Sequence, residues 1–531
     1  MWSKVGFQLS RLTVLFLIVN MVVPACSVIQ SSDLFKPRPN VIVILTDDMD
    51  MSLMPFVKNT EALIGEKGAT FTNYFISDSL CCPSRSSNLR GQYSHNTHIL
   101  TNSFPEGGFR RFFSEGEESE TLAVWLKRAG YQTSLIGKYL NGYPIFAGYN
   151  YVPAGWTDWH ALFYKTSSDA ESWYNDYTLV ENGPLVKYGN TPENYSTDVF
   201  KEKSIKFIDQ NAANGSPFFL LLAVYAPHGP STPAERHSKM LDGLVYPKKP
   251  SFNEVDLSDK PNIIQAMAKT GDVVDVVDAD TLYRKRAQSM LAVDELVVDL
   301  VKKLEQNGQL DNTYIFFTSD NGFGIGEHAL PPGKGLAYEE DIHVPMMVRG
   351  PGIKPNTVVT QITSNIDLAS TITEMTGATA AKFVDGRSFM PLFKSETAKS
   401  LDWRKGLLIE MGAINTSISA IVPVKAHASF DSSPYEFEYP DSPSDKFLQE
   451  NDQGSYRGVR AEKFIYLEYN NGEKEFYNLV ADPYEMDNIV SKLAPDILSS
   501  LHIWLGQLKT CAADECRKAE ANLPDNLKNY P

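Results

Sequence analysis

Two apolar runs end directly in acidic side chains. VIVIL (41–45) leads into Thr46-Asp47-Asp48, and YIFF (314–317) leads into Thr318-Ser319-Asp320-Asn321. Three carboxylates and an amide oxygen form a hard-oxygen donor set suited to Ca²⁺ or Mg²⁺, with too little nitrogen or thiolate for a typical zinc site. Either pair alone reads as helix caps or turn residues after a strand; the two together read as a cation cage. Two further apolar runs end the same way. TSLIG (133–137) stops at Lys138, and FFLLLAV (218–224) continues through Tyr225-Ala226-Pro227 to His228. A lone lysine or histidine in such a place is commonly solvated or satisfied, so the weight lies in the convergence. Between the first two runs lies CCPSRSSNLRG (81–91). A Cys81 thiol near Arg85 and a cation is a candidate thiolate nucleophile. A structural cysteine at a helix start is the other reading, and residue chemistry alone does not decide between them.

The elements that must position these groups follow from the hydrophobic pattern. From about residue 40 to 380 short apolar runs alternate with helical patterns, the signature of strands and crossover helices in a mostly parallel sheet. Met290, Val293, Val297, Leu300 and Leu304 recur at helical spacing before Asn307-Gly308, and TLAVWLKRAG (121–130) closes on Gly130. In such a sheet, residues just past the carboxyl ends of the strands share the edge where α/β proteins bind ligands. After about residue 385 the rhythm changes. A Ser/Pro/Asp-rich stretch (431–453) precedes KFIYLEY (463–469) and KEFYNL (474–479), which predict an antiparallel meander. The expected division is a leader over 1–26, a large α/β domain over 38–385 and a smaller domain over 386–531.

The leader reading rests on Lys4 and Arg11, the apolar run 12–23 and Pro24-Ala25-Cys26, the pattern of a secretory signal peptide. The run is too short for a comfortable membrane span, and no second span is visible. An oxidising route makes the Cys511/Cys516 spacing a local disulfide. It also makes the sequons at Asn194, Asn214 and Asn415 candidate glycosylation sites. Adjacent Cys81 and Cys82 cannot easily bridge each other. With 49 Lys plus Arg against 65 Asp plus Glu, the 531-residue chain carries a formal charge of −16, which argues against nucleic acid as the main partner. An anionic ligand would have to be held by a local cluster of cations.

Cys81, Pro83, Ser84, Arg85, Leu89 and Gly91 match C-x-P-S-R-x-x-x-L-x-G, and the chain thereby resembles the sulfatases. PNVIVILTDDMD (39–50), GKYLNGY (137–143), APHGP (226–230), YIFFTSDNGFGIGEH (314–328), VPMMVRGPGIKP (344–355) and YNLVADPYEMDN (477–488) extend the likeness over nearly the whole mature chain. CCPSR, GKYLN and the match around 283–355 are most similar to the N-acetylglucosamine-6-sulfatase and arylsulfatase branch. Arg90 stands where many members have threonine.

The resemblance implies an alkaline-phosphatase-like fold and conversion of Cys81 to formylglycine (3-oxoalanine) by a formylglycine-generating enzyme. It implies one Ca²⁺ per chain, bound by Asp47, Asp48, Asp320, Asn321 and the modified Cys81. Of the hydrated aldehyde's two hydroxyls, one attacks sulfur and the other collapses to expel sulfate, so no second attack by water is needed. Lys138 and Lys334 correspond to the family's sulfate clamps, Arg85 to the group holding the hydrate and its metal, and His228 to the group that protonates the leaving oxygen. Many sulfatases carry a histidine two residues after the first lysine; here Tyr139 and Leu140 follow. That leaves His95, His98 and His328 as candidate bases, His328 also as a substrate contact. The expected substrate is a sulfated carbohydrate, of glucosamine 6-sulfate type, or an aryl sulfate, and the destination is lysosomal or extracellular. The rivals are a phosphatase or phosphodiesterase of the same superfamily, with two zincs and several histidine ligands, and a catalytically silent glycan-binding relative.

Overall fold

A computed structural model describes Met1 and residues 37–164, 173–270, 275–394, 401–412 and 454–528. Residues 2–26 of the expected leader, Asn415 and the Ser/Pro/Asp-rich stretch lie outside these. Arg38–Pro531 forms one compact unit.

Its centre is a ten-stranded sheet. Across it run Thr357–Val359, Ala69–Phe71, Met346–Arg349, Thr313–Ser319, Asn40–Asp47, Phe218–Pro227, Gln132–Gly137, Asp158–Leu162, Thr178–Glu181 and Leu185–Lys187. The strands from Thr313–Ser319 to Asp158–Leu162 are mutually parallel; antiparallel pairings join Met346–Arg349, Thr178–Glu181 and Leu185–Lys187 to the sheet and Ala69–Phe71 to Met346–Arg349, while the edge strand Thr357–Val359 runs parallel to Ala69–Phe71. All four strands expected from the apolar runs are therefore adjacent and parallel in the middle of the sheet.

The central strand alternates between two buried faces, as a parallel strand covered on both sides must. Val41, Val43 and Leu45 pack with Leu122, Trp125 and Leu126. Ile42 and Ile44 pack on the other side with Met290, Val293, Val297, Leu300 and Leu304. The second group belongs to a helix spanning Val276–Gln306, longer than the apolar stripe that announced it, with the Asp275 side chain capping its amino end by accepting from Val277 N.

The expected meander is a four-stranded antiparallel sheet of Gly406–Met411, Tyr456–Ala461, Phe464–Tyr469 and Lys474–Asn478. Its core holds Leu407, Ile409, Val459, Ile465 and Trp504, and also Phe75, Leu80, Leu336 and Tyr338 from the earlier part of the chain. This core reaches the residue before Cys81 and the loop after Lys334, so the small sheet backs the chemistry-bearing loops.

Arg404, fully buried, grips Asp367 with two parallel bonds (2.6 and 2.8 Å) and Glu520 through Nε (2.9 Å). Removing one member of such a network leaves buried charge uncompensated. Arg404→Met should destabilise the protein by about 3–5 kcal/mol, read as a lower denaturant midpoint at unchanged slope. A loss of well under 1 kcal/mol would show that the network is balanced by desolvation.

Candidate active site

The parallel register brings the acidic strand ends together. Thr46 is paired with Ser319, and Leu45 lies beside Ala223 of the neighbouring strand. Asp48 then turns into the left-handed region (φ 69°), which is costly for a residue with a side chain. Its backbone is held there from two sides. Asp48 N donates to Asp320 Oδ1 (3.1 Å), and Arg286 donates to Asp48 O (2.6 Å) and Asp50 Oδ2 (2.8 Å).

Cys81 opens the helix Cys81–Arg90, which closes on Gly91 at φ 68°. Its Sγ lies 3.5 Å from Asp47 Oδ1 and 2.8 Å from Lys334 Nζ. One helical turn on, Arg85 donates from Nε to Asp320 Oδ2 (2.8 Å), faces Asp47 Oδ2 (3.2 Å) and donates to the carbonyl of Lys138 (2.9 Å). Lys138 Nζ lies 2.7 Å from Asp47 Oδ2. The glycine before it is obligatory: at φ +113°, a Cβ on Gly137 would sit 1.9 Å from the carbonyl oxygen of Ala223. Lys334 reaches Asp48 Oδ1 at 2.6 Å. Its loop is pinned by Ser79 Oγ donating to Leu336 O (2.7 Å) and by Leu336 N donating to Asp341 Oδ2 (2.8 Å).

His228 completes the cluster. Its Nδ1 faces the carbonyl of Gly229 (2.9 Å), which can only accept, so the proton is on Nδ1 and Nε2 faces the site, 3.7 Å from Asp48 Oδ2. The ring stacks on Tyr225 with centroids 4.7 Å apart. One ligand-type atom from each of Asp47, Asp48, Cys81 and His228 lies within 4.8 Å of the others.

Asp47, Asp48 and Asp320 meet Arg85, Lys138 and Lys334, so three negative charges face three positive ones. Burial pushes the Asp47 carboxyl up, but Lys138 and Arg85 outweigh it and hold the group well below the usual range. Asp320 ends above its usual value, because burial and the neighbouring Asp47 outweigh Arg85. For His228, burial alone would favour the neutral ring, yet Asp48 and Asp47 carry the balance towards the imidazolium. Burial pushes the Cys81 thiol well above its ordinary value despite Lys138 and Lys334. A thiol held protonated is a poor nucleophile, which weighs against the thiolate reading.

The donor set fits a hard divalent cation. Asp47, Asp48 and Asp320 supply carboxylates, and Asn321 donates from its Nδ2 to Asp48 Oδ1 (2.7 Å) while its buried Oδ1 has no hydrogen-bond partner. An orphaned buried oxygen among carboxylates is the expected mark of a cation ligand. With a divalent cation added the cluster carries a net positive charge and attracts an anion. Among the described residues this cluster contains one imidazole, His228, which does not supply the several histidines of a two-zinc phosphatase.

The other sequence candidates fall elsewhere. His328 is buried, with Nδ1 2.6 Å from Glu254 Oε2 and its ring stacked on Tyr338; it belongs to a different group of side chains from Cys81. His95 spends both ring nitrogens, on Glu410 (3.0 Å) and on the carbonyl of Cys511 (2.9 Å). His98 is exposed at the end of the short helix Ser94–Thr97. Cys511 and Cys516 form a disulfide, Cα atoms 4.8 Å apart. Cys82 is buried in the main core. Asn194 is half-buried and Asn214 exposed.

Arg286 was not foreseen. It stands four residues before Met290 on the buried stripe, and a charge on that stripe was the available signal. Glu118 was missed as well. This carboxylate accepts from Tyr151 and from Tyr139 (3.1 Å), the residue after Lys138, and burial pushes its pKa up to about 7 from 4.5. A carboxyl raised in the fold contributes stability that is fully present below its unfolded value and is lost as pH rises through the folded one. Between pH 4.5 and 7 the protein should therefore lose about 3 kcal/mol through this group. Glu118→Gln should flatten that slope in denaturant titrations; an unchanged slope would show that the carboxyl is ionised throughout.

The sequence profile described as Sulfatase matches residues 39–378. The N-acetylglucosamine-6-sulfatases of Capra hircus and Homo sapiens are 36% and 37% identical over 493 residues, covering 90% of this chain and 85% and 86% of theirs. An arylsulfatase of Volvox carteri is 31% identical over 524 residues, 90% of this chain and 76% of its own. A solved structure in complex with its substrate D-glucosamine-2-N,6-O-disulfate superposes with a TM-score of 0.69 at 23% identity, covering 91% of this chain and 98% of that one. The phosphonate monoester hydrolase of Agrobacterium radiobacter gives 0.64 at 18%, over 89% and 95%, so the fold itself serves more than one ester chemistry. With the profile spanning the strands and loops that build this cluster, the chain belongs to the sulfatase family.

Proposed function

We propose that this sulfuric ester hydrolase removes the 6-O-sulfate from a glucosamine or N-acetylglucosamine unit of a sulfated glycan, using a formylglycine made from Cys81 and one Ca²⁺. The observation that carries the substrate is the likeness to N-acetylglucosamine-6-sulfatases over 90% of the chain. Asp47, Asp48, Asp320 and Asn321 would hold the cation, whose chemistry is to polarise the sulfate and lower the pKa of the attacking hydroxyl.

The chain's own residues do the rest. Lys138 and Lys334 flank the position of Cys81 Sγ and place two ammonium groups where charge gathers on the transferring sulfo group. Arg85 fixes Asp47 and Asp320 against each other. His228, with Nδ1 tied to Gly229, presents Nε2 to the leaving oxygen, and its bias towards the imidazolium supplies the proton. Burial of every one of these groups keeps bulk water away from the reacting centre. Residues 38–385 carry this chemistry and 386–531 support it. In the same reading the chain is a glycoprotein, modified at Asn194, Asn214 and Asn415, that follows the secretory route to the lysosome or the cell exterior. No helix of the described residues is long and apolar enough to cross a membrane.

Sulfate release should be compared across N-acetylglucosamine 6-sulfate, glucosamine 2-N,6-O-disulfate, galactose 6-sulfate and an aryl sulfate. The glucosamine 6-sulfates should lead in kcat/KM by at least about tenfold, the scale of one well-placed polar contact. Leadership of the aryl sulfate would make the protein a broad arylsulfatase.

A further inference from the structure

A second group of buried ligand-type atoms gathers where the loop bearing Lys334 meets the C-terminal part of the chain. A ring nitrogen of His328 and one carboxylate oxygen from each of Glu340 and Glu485 lie within 4.8 Å of one another. Their exposures are 0%, 9% and 1%.

The hydrogen bonding around them is unbalanced. Nδ1 of His328 is held by Glu254 Oε2 at 2.6 Å, which places the proton there and leaves Nε2 with its lone pair. Nε2 is buried and has no hydrogen-bond partner. Glu485 accepts from Glu339 N through Oε2 (3.0 Å), while its Oε1 is buried and unpartnered. His328 Nε2 and Glu485 Oε1 are therefore both left without a partner at one place, an arrangement that is costly to bury. The basic groups nearby are committed. Lys249 holds Glu340 Oε1 (2.7 Å), and Lys260 donates to the backbone carbonyls of Glu485 (3.0 Å) and Met486 and lies 3.5 Å from Glu254. A cavity of about 20 Å³, lined in part by His328, Glu327, Glu340 and Asp341, adjoins the group and is the size of one ion or one water.

We propose that His328, Glu340 and Glu485 form a second divalent-metal site, of the zinc class. An imidazole with a carboxylate on its far nitrogen and two further carboxylates is a zinc-type donor set with one position left for water. An all-oxygen calcium site would not include the ring. Tetrahedral ligands about 2.1 Å from zinc lie roughly 3.4 Å apart, within a side-chain adjustment of the observed limit. The ion would tie both flanks of the Lys334 loop to the segment at Glu485, and so brace a catalytic lysine from outside the catalytic cluster.

The mature protein, stripped with chelator, resupplied with calcium to fill the Asp47 cluster and then titrated with zinc, should take up one equivalent of zinc by calorimetry and elemental analysis. X-ray absorption should show nitrogen and oxygen neighbours near 2.0–2.1 Å. His328→Gln and Glu485→Gln should each weaken that binding at least about tenfold, whereas Asp47→Asn should leave it intact. Circular dichroism verifies that each variant is folded, and Glu340→Gln replaces either one that is not. Zinc uptake that persists in all folded variants, or wild-type protein that takes up no more zinc than they do, overturns the site and leaves the cavity to water.

Discussion

Cys81→Ala should lower sulfate ester turnover by on the order of 10⁴–10⁶-fold, the scale on which removal of a covalent nucleophile acts. The expected protein is folded and still able to bind cation, because Asp47 keeps Lys138 and Arg85, and Lys334 keeps Asp48 at 2.6 Å. Cys81→Ser gives a sharper outcome. A single hydroxyl can accept the sulfo group once but has no geminal partner to expel it, so each chain should gain the mass of one sulfo group, visible in intact-mass spectra after incubation with substrate. Equal turnover by wild type and Cys81→Ala would remove the proposed nucleophile. Turnover by a serine variant without a trapped adduct would remove the two-hydroxyl logic.

The second large effect is expected at Asp47, which balances two buried cations and, in the proposed function, also holds the metal. Its Oδ2 faces Lys138 at 2.7 Å and Arg85 at 3.2 Å, and Oδ1 lies 3.5 Å from Cys81 Sγ. In Asp47→Asn, three buried cations face two carboxylates, and a buried charge that loses its partner costs about 3–5 kcal/mol. Calcium binding by equilibrium dialysis should fall below detection at millimolar calcium, and activity should fall with it by at least about 10³-fold. The unfolding midpoint in chelator separates the two parts, since the charge imbalance persists there while the metal contribution does not. A variant as stable and as calcium-loaded as wild type would show that Asp47 only neutralises its neighbours.

The central architecture was legible because its physics is local. A parallel strand buried on both faces is a short continuous apolar run, and four such runs each ended in a group that could do chemistry. Their shared edge followed from the parallel pairing, which the residues around 41–45, 133–137, 218–224 and 314–317 now display. Other features depend on contacts distant in sequence. Arg286 acts through a carbonyl 238 residues away, and nothing next to it names that partner. His328 follows a Gly-Glu pair just past Asp320 and Asn321, which made it a candidate rim imidazole. Consecutive left-handed residues, His328 at φ 56° and Ala329 at φ 54°, turn the backbone there, and the ring is held by Glu254. The strands Thr178–Glu181 and Leu185–Lys187 escaped notice although Asn182-Gly183 between them, both at positive φ, is the usual two-residue hairpin signal. Their few residues gave too little alternation to count.

Cys81 is wholly shut in, 0% exposed beneath the meeting of two sheets. Under the proposed conversion of Cys81, whatever tailors that thiol would have to reach it before the edge closes, while the chain is still being threaded and is pliable. Each batch of protein would then preserve a frozen record of a race between two clocks in the cell that made it, and chains that finish folding first would be sound in shape yet permanently idle.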